Sequence, residues 1–323
     1  VRTQSAGADL PPHRPAPLSA EPVDGSVTHP LADPASAMSW FDAEHTNLLA
    51  AQRSAQRRGW DGAVYRLAWA LDPYHRRRGH LDAQAAAWQL AVNSAQRLPD
   101  QALRVQAHQM LGDAYAQLGK TADALASLNE ALALAEQTDD VSSRGEIHHS
   151  LGGAWERHGD SRRALEHARR SLLIFQSLDD TYRQARALNG VGWLQAQLGE
   201  CVEARANCQA ALTLLRRLPL DDRRVGESDV LDSLGYIAHR LHEHDQARLA
   251  CLAHRQLRGD QPVDQHHGVV GDRLGDRVLR HRPAQRREAL ADAAVVDIAA
   301  ARAGPVVDGG RGGDGGPRHS RRS

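Results

Sequence analysis

Nucleotide binding is the first chemistry that the residue types raise. Gly119-Lys120-Thr121 has the ending of a phosphate-binding loop. In such a loop the backbone amides between two glycines curl round a phosphate and the lysine reaches it. That loop needs four residues between its glycines and a strand before it, whereas Gly112 stands seven residues back in a helical pattern. Leu172-Leu173-Ile174-Phe175 followed by Asp179-Asp180 imitates a strand carrying a magnesium-binding acid, but the acid comes too late. His239, His242 and His244, with Glu243, place two imidazoles on one helix face. A metal needs a third ligand and outer partners that orient the first set, and neither is visible. His148-His149 and His266-His267 are weaker still. Asp139-Asp140, Asp179-Asp180 and Asp221-Asp222 recur in phase, so they read as loop and cap residues. Arg162-Arg163, Arg169-Arg170 and Arg216-Arg217 read as solvated helix faces, with a phosphate-binding stripe as the alternative. No nucleophile–base set or pair of carboxylates stands out. The expectation is a protein that is not an enzyme and holds no cofactor or metal.

What remains informative is the spacing that places these groups. Leu111-Gly112, Leu151-Gly152, Val191-Gly192 and Leu234-Gly235 recur at intervals of 40, 40 and 43 residues. Seven residues after each Gly stand Gly119, Gly159, Gly199 and then His242, and twelve after it stand Ala124, Ala164, Ala204 and Ala247. A period of that length is the mark of a solenoid or array. Within one unit, Leu103, Ala107, Met110, Leu111, Ala114 and Leu118 lie at helical spacing, and Gly119-Lys120 interrupts them. A second stripe follows through Ala124, Leu125, Leu128, Ala131, Leu132 and Ala135. Asp100, Asp140, Asp180 and Asp222 precede the first helices and can cap them. The paired Gly and Ala stand where two antiparallel helices must approach to ~8–10 Å. The fold class expected is all-α, an α-solenoid of antiparallel helix pairs with disordered ends.

This pattern resembles the tetratricopeptide repeat (TPR). The units share the small-residue pair, an aromatic three residues on (Tyr115, Trp155), the second-helix Ala and a later small residue (Ala131, Ser171, Ala211). Gln195 and Ala238 replace the aromatic in two units, and His254 replaces the last small residue. The spacing exceeds the family's usual thirty-four, and no unit ends in the family's Pro. The resemblance implies a superhelix whose first helices line a concave groove. Carried over by position, that partner-binding face comprises Gln109 and Asp113, then Glu146, His149 and Arg157. It continues through Arg186, Asn189 and Trp193, and ends on Asp229, Asp232, Tyr236 and His239. Two exposed aromatics, Trp193 and Tyr236, among mixed polar groups suit recognition of a protein, peptide or helix. The Lys and Asn clamp that some members use for a terminal carboxylate is not matched.

The rest of the chain bounds this reading. Residues 1–36 hold seven of the fourteen Pro and no aromatic, and read as a disordered linker. Residues 37–100 read as a helical segment with a degenerate first repeat, since Gly79 precedes Gly119 by forty, and Ser39 is a plausible cap for its opening helix. Residues 101–256 hold four units. Residues 257–323 carry no aromatic and are rich in Arg and Gly. They read as a disordered tail with a short helix at Ala289–Ala301, and an alternative is that they are translated out of frame. Basic and acidic residues balance at 40 each, so no nucleic-acid footprint is written in the net charge. Cys201, Cys208 and Cys251 form no C-x-x-C, which suits a reduced, cytoplasmic chain. No apolar run approaches the length of a membrane span. Trp40-Phe41-Asp42-Ala43-Glu44 and Asn47-Leu48-Leu49-Ala50-Ala51 resemble the segment before the TPR sensor of actinobacterial STAND regulators, including the Streptomyces antibiotic regulatory proteins. The resemblance implies a fragment lacking the P-loop ATPase and DNA-binding domains, with the sensor role of a transcriptional regulator. A free-standing adaptor is the alternative.

Overall fold

The computed structural model describes residues 33–258. The expectations for residues 1–32 and 259–323, including the Ala289–Ala301 helix, His266-His267 and the nature of the tail, lie outside the described residues. Eleven helices and no strand are found among the described residues. They are α1 (Pro34–Arg57), α2 (Asp61–Arg78), α3 (Leu81–Ala95), α4 (Gln101–Gln117), α5 (Thr121–Glu136) and α6 (Val141–His158). The remainder are α7 (Ser161–Ser177), α8 (Thr181–Leu198), α9 (Cys201–Leu215), α10 (Leu220–Arg240) and α11 (His244–Arg258). Consecutive helices pack on one another, and the first helices of adjacent units also touch, as α4 does α6 and α8 does α10. The result is an α-solenoid of antiparallel helix pairs.

The small residues do what their spacing implies. Ala124, Ala164, Ala204 and Ala247 are fully buried. A Cβ added at Gly192 meets the carbonyl of Ala204 at 2.8 Å, and one at Gly152 meets that of Ala164 at 3.3 Å. Each unit's inner turn uses a residue in the left-handed region: Gly79, Gly119, Gly159 and Gly199, with φ between 70° and 90°, and then His242 at 62°. Gly119-Lys120-Thr121 is thus the turn between α4 and α5, with Thr121 the first residue of α5. Leu172–Phe175 lies inside α7.

Capping departs from expectation at two places. Asp100, Asp140 and Asp180 accept from backbone N–H groups of the first turns of α4, α6 and α8, and Asp160 does the same for α7. Asp222 does not cap. Its helix begins at Leu220 after Pro219, which places Asp221 and Asp222 in the first turn, where a carboxylate still complements the helix dipole. Gly235 stands fifteen residues into α10, whereas Gly192 stands eleven into α8. The longer third interval is therefore absorbed as about one extra turn of helix. Ser39 is not a cap either. Asp33 caps α1 through the N–H of Ser36, Pro34 supplies the pre-set first-turn φ, and Ser39 lies within the helix.

The pair α2–α3 substitutes hydrogen bonds for small residues. Asp72 and Gln84 stand one forty-residue period before Gly112 and Ala124. Both are buried, and Asp72 Oδ1 accepts from Gln84 Nε2 and Trp88 Nε1, each at 2.8 Å. Two larger polar side chains are tolerated because Gln84 and Trp88 both donate to the buried Asp72 carboxylate, although Gln84 Oε1 is left without a partner. A comparable exchange occurs at Gly145, where any side chain would collide with the ring of Phe175.

Candidate binding face

The first helices α4, α6, α8 and α10 carry every residue expected on the inner face. The structure joins these residues across units at separations of about one period. Gln109 Nε2 donates to Ser150 Oγ at 3.3 Å between α4 and α6. Glu146 on α6 accepts from Arg183 Nε at 2.6 Å and from Arg186 Nη2 on α8. Burial alone would push the Glu146 carboxyl up, but Arg186, His149 and Arg183 outweigh it and hold it below the usual range. Arg183 is tied back to the capping Asp180 at 2.8 Å.

Further along the same face, Glu156 accepts from Trp193 Nε1 and, at 2.7 Å, from Gln197 Nε2. The rings of Trp193 and Tyr236 lie 5.0 Å apart at 51°, bridging α8 to α10. Arg240 Nη1 donates to the Tyr236 hydroxyl at 2.8 Å. The expectation that these two aromatics are freely exposed is corrected here. Both are half-buried, Trp193 against Val191 and Leu194 and Tyr236 against the cluster that includes Val230 and Ile237. The tilted contact between the rings removes part of each from water.

The remaining expected residues differ in access. Asp113 is half-buried, and burial pushes its carboxyl up to about 6, opposed by a hydrogen bond to Ser150 and by Arg76 and Arg157. Asn189 is half-buried and its Oδ1 lies 3.5 Å from Cys208 Sγ. His149, Asp229 and His239 are half-buried, Arg157 is exposed and donates to the carbonyl of Gly153 at 3.2 Å, and Asp232 is buried. Sequence reasoning missed Arg183, Glu156, Gln197 and Ser150. Their separations from partners, 37 to 41 residues, equal the repeat period, and that signal could have found them.

No group of three or more His, Cys, Asp or Glu able to hold a metal occurs among the described residues. His239, His242 and His244 are near one another, with ring centroids 6.1 and 6.3 Å from His244. Cys201, Cys208 and Cys251 are buried and in no disulfide, and burial pushes the Cys208 thiol up to about 12. No described helix is long and apolar enough to cross a membrane.

Residues 105–138, which span most of α4 and all of α5, match the family model of the tetratricopeptide repeat. No curated protein is a significant match to the sequence. Among solved structures, the chain resembles BtubC from P. vanneervenii at 18% identity and TM-score 0.55, over 70% of this chain and 94% of that one. It also resembles a Rap protein complexed with competence and sporulation factor, at 16% identity and TM-score 0.56, over 72% of this chain and 67% of that one. A third is aspartyl phosphate phosphatase F from Bacillus subtilis, at 9% identity and TM-score 0.56, over 83% of this chain and 66% of that one. At these identities the likeness is one of fold.

Proposed function

We propose that the helical repeats form a non-catalytic protein–protein interaction module. It takes a peptide or helix of a partner protein along the inner face. The observation that carries this reading is the tilted Trp193–Tyr236 ring pair, half-buried on that face, with Glu156 bonded to Trp193 and Arg240 to Tyr236. Held rings lose little further entropy on contact and bury much area, which is why such residues dominate binding energies. A Rap protein seen with competence and sporulation factor shares the fold, which supports a repeat surface that receives a partner. The narrower role, the sensor part of a STAND-type regulator acting in the cytoplasm, rests on the resemblance of residues 40–51. It makes the regulator's own ATPase module the first partner to try.

The test is a peptide-display selection on the full chain, followed by titration calorimetry. Selected peptides should bind the double variant Trp193→Ala, Tyr236→Ala at least about tenfold more weakly, the scale of one lost hot spot. Circular dichroism must show helicity retained. Equal binding by a folded double variant would move the partner site off this face. Failure to select any peptide would remove the reading altogether.

A further inference from the structure

Helix α1 is attached differently from the helices that follow. Ala37, Gln52 and Ala55 are its buried side chains. It packs on α2 more thinly than any later helix packs on its predecessor. Much of its attachment is titratable. Asp42 accepts from Arg78 Nε and Nη2 at 3.0 and 2.5 Å and from the Tyr74 hydroxyl at 3.1 Å. One turn on, His45 Nε2 lies 3.0 Å from His75 Nε2 on α2. The His45 ring stacks on His80 at 4.9 Å and 13°. Non-titrating ties include Gln52, whose amide donates to the carbonyls of Val64 and Ala87, and the Phe41 ring, which stacks on Tyr74 at 5.2 Å.

Two imidazole nitrogens 3.0 Å apart share a single hydrogen, so one of them must be an unprotonated acceptor. A second proton would set N–H against N–H. It would also place a cation on the fully buried His75, whose Nδ1 has no hydrogen-bond partner. The titratable and charged groups facing the pair are Asp42 on α1, Asp72, Tyr74 and Arg78 on α2, and His80 in the turn. From α3, Gln84 and Trp88 engage Asp72 rather than His75. Asp72 and Asp42 favour protonation, but burial and the neighbouring imidazoles outweigh them. Burial and then His45 take His75 down to about 4, and burial and His80 lower His45. The Arg78 bond, ahead of the Tyr74 bond, lowers Asp42. Each of these folded values lies below the unfolded one. The imidazole contacts therefore hold α1 above about pH 6.5 and are lost as pH falls towards their folded values, whereas the Asp42 contacts weaken only below about pH 3.8.

We propose that α1 is a proton-released cap: protonation at the His45–His75 contact frees α1 from the first helix pair while the repeats from α4 onward stay folded. The released helix uncovers the α2–α3 end of the solenoid, the reverse of a strap closing.

Hydrogen exchange of the full chain, corrected for intrinsic rates, tests this at about pH 7 and about pH 5. Peptides from residues 34–57 should lose protection by about tenfold or more relative to peptides from residues 181–215, which carry no His, unlike α6 and α7, where His148 and His167 lie 3.1 Å apart. His45→Phe keeps a ring stacked on His80 and against Tyr74 but removes the shared proton, and it should reduce the loss to under about threefold. Should that variant not fold, His45→Gln supplies the same reading with a neutral partner for His75. The proposal fails if α1 and the His-free helices α8 and α9 lose protection in parallel, or if the His45 variant keeps the wild-type pH response. It also fails if Asp42→Asn alone abolishes that response, since the ion pair and not the imidazoles would then be the switch.

Discussion

Replacing single inner glycines by alanine should change stability in an order set by the room each leaves. In a helix interior the change from Gly to Ala gains about 1 kcal/mol from backbone entropy. What differs is the neighbour that the new methyl meets. At Gly235 the added Cβ would lie 3.4 Å from Cys251 Sγ and 3.7 Å from the Ala247 carbonyl, an ordinary contact. Burial of the methyl adds up to about 0.8 kcal/mol, so Gly235→Ala should stabilise by about 1 to 1.5 kcal/mol. At Gly192 the same atom would stand 2.6 Å from Cys208 Sγ and 2.8 Å from the Ala204 carbonyl. The carbonyl belongs to the backbone of α9, so the whole helix must move. Overpacking of this kind costs roughly 1–3 kcal/mol and more where backbone is involved, and Gly192→Ala should lose about 2 kcal/mol net. Gly112→Ala, 3.1 Å from the Ala124 carbonyl and close to the Leu128 side chain, and Gly152→Ala, 3.3 Å from the Ala164 carbonyl, should fall between, in that order. Guanidinium midpoints of the four variants measure the ranking. Should Gly192→Ala prove as stable as Gly235→Ala, the close approach of α8 to α9 does not set the helix-pair geometry.

Three more outcomes follow from single sites. His242→Gly should stabilise by roughly 0.5–1 kcal/mol, because His242 holds a left-handed φ of 62° where earlier units use Gly; no rise in melting temperature would show the turn unstrained. Asp113→Asn should stabilise near pH 7 by about 1 kcal/mol, after discount for partial exposure, with the gain vanishing towards pH 4. The Asp113 folded value of about 6 exceeds the ordinary one, so the native state loses stability as pH rises between them, and a gain equal at both pH values would contradict the assignment. Asp180→Ala removes the α8 cap together with the Arg183 tie; it should cost about 1 kcal/mol, and a urea midpoint that does not move would show the cap idle.

How much of this was legible from residues alone divides along a physical line. The helix pairs, their turns and the Gly–Ala contacts were readable, because period and residue size are local properties repeated several times. The 40-residue step and the left-handed glycines at 119, 159 and 199 leave the chain little choice between units. The extra turn of α10, the absence of a cap at Asp222 and the start of α1 at Pro34 were not readable. Helix ends depend on where the neighbouring helix ceases to cover the backbone, and on competition among nearby capping groups.

The face proposed for binding divides the same way. Placing Glu146, Arg186, Trp193 and Tyr236 on the first helices needed only the repeat register. Whether those groups point at a partner or at each other is decided by the rise and twist between units. That geometry brings Glu146 to Arg183 and Arg186, Glu156 to Trp193, and the two rings to 5.0 Å. The bonded pairs stand about one period apart in the sequence. A helical pattern specifies which side of a helix a residue occupies, but only the packed superhelix specifies which residue of the next helix lies opposite. For the same reason Asp72 and Gln84 read as mere degeneracy in the sequence, and only the close approach of α2 to α3 makes them a buried hydrogen bond in place of two small side chains.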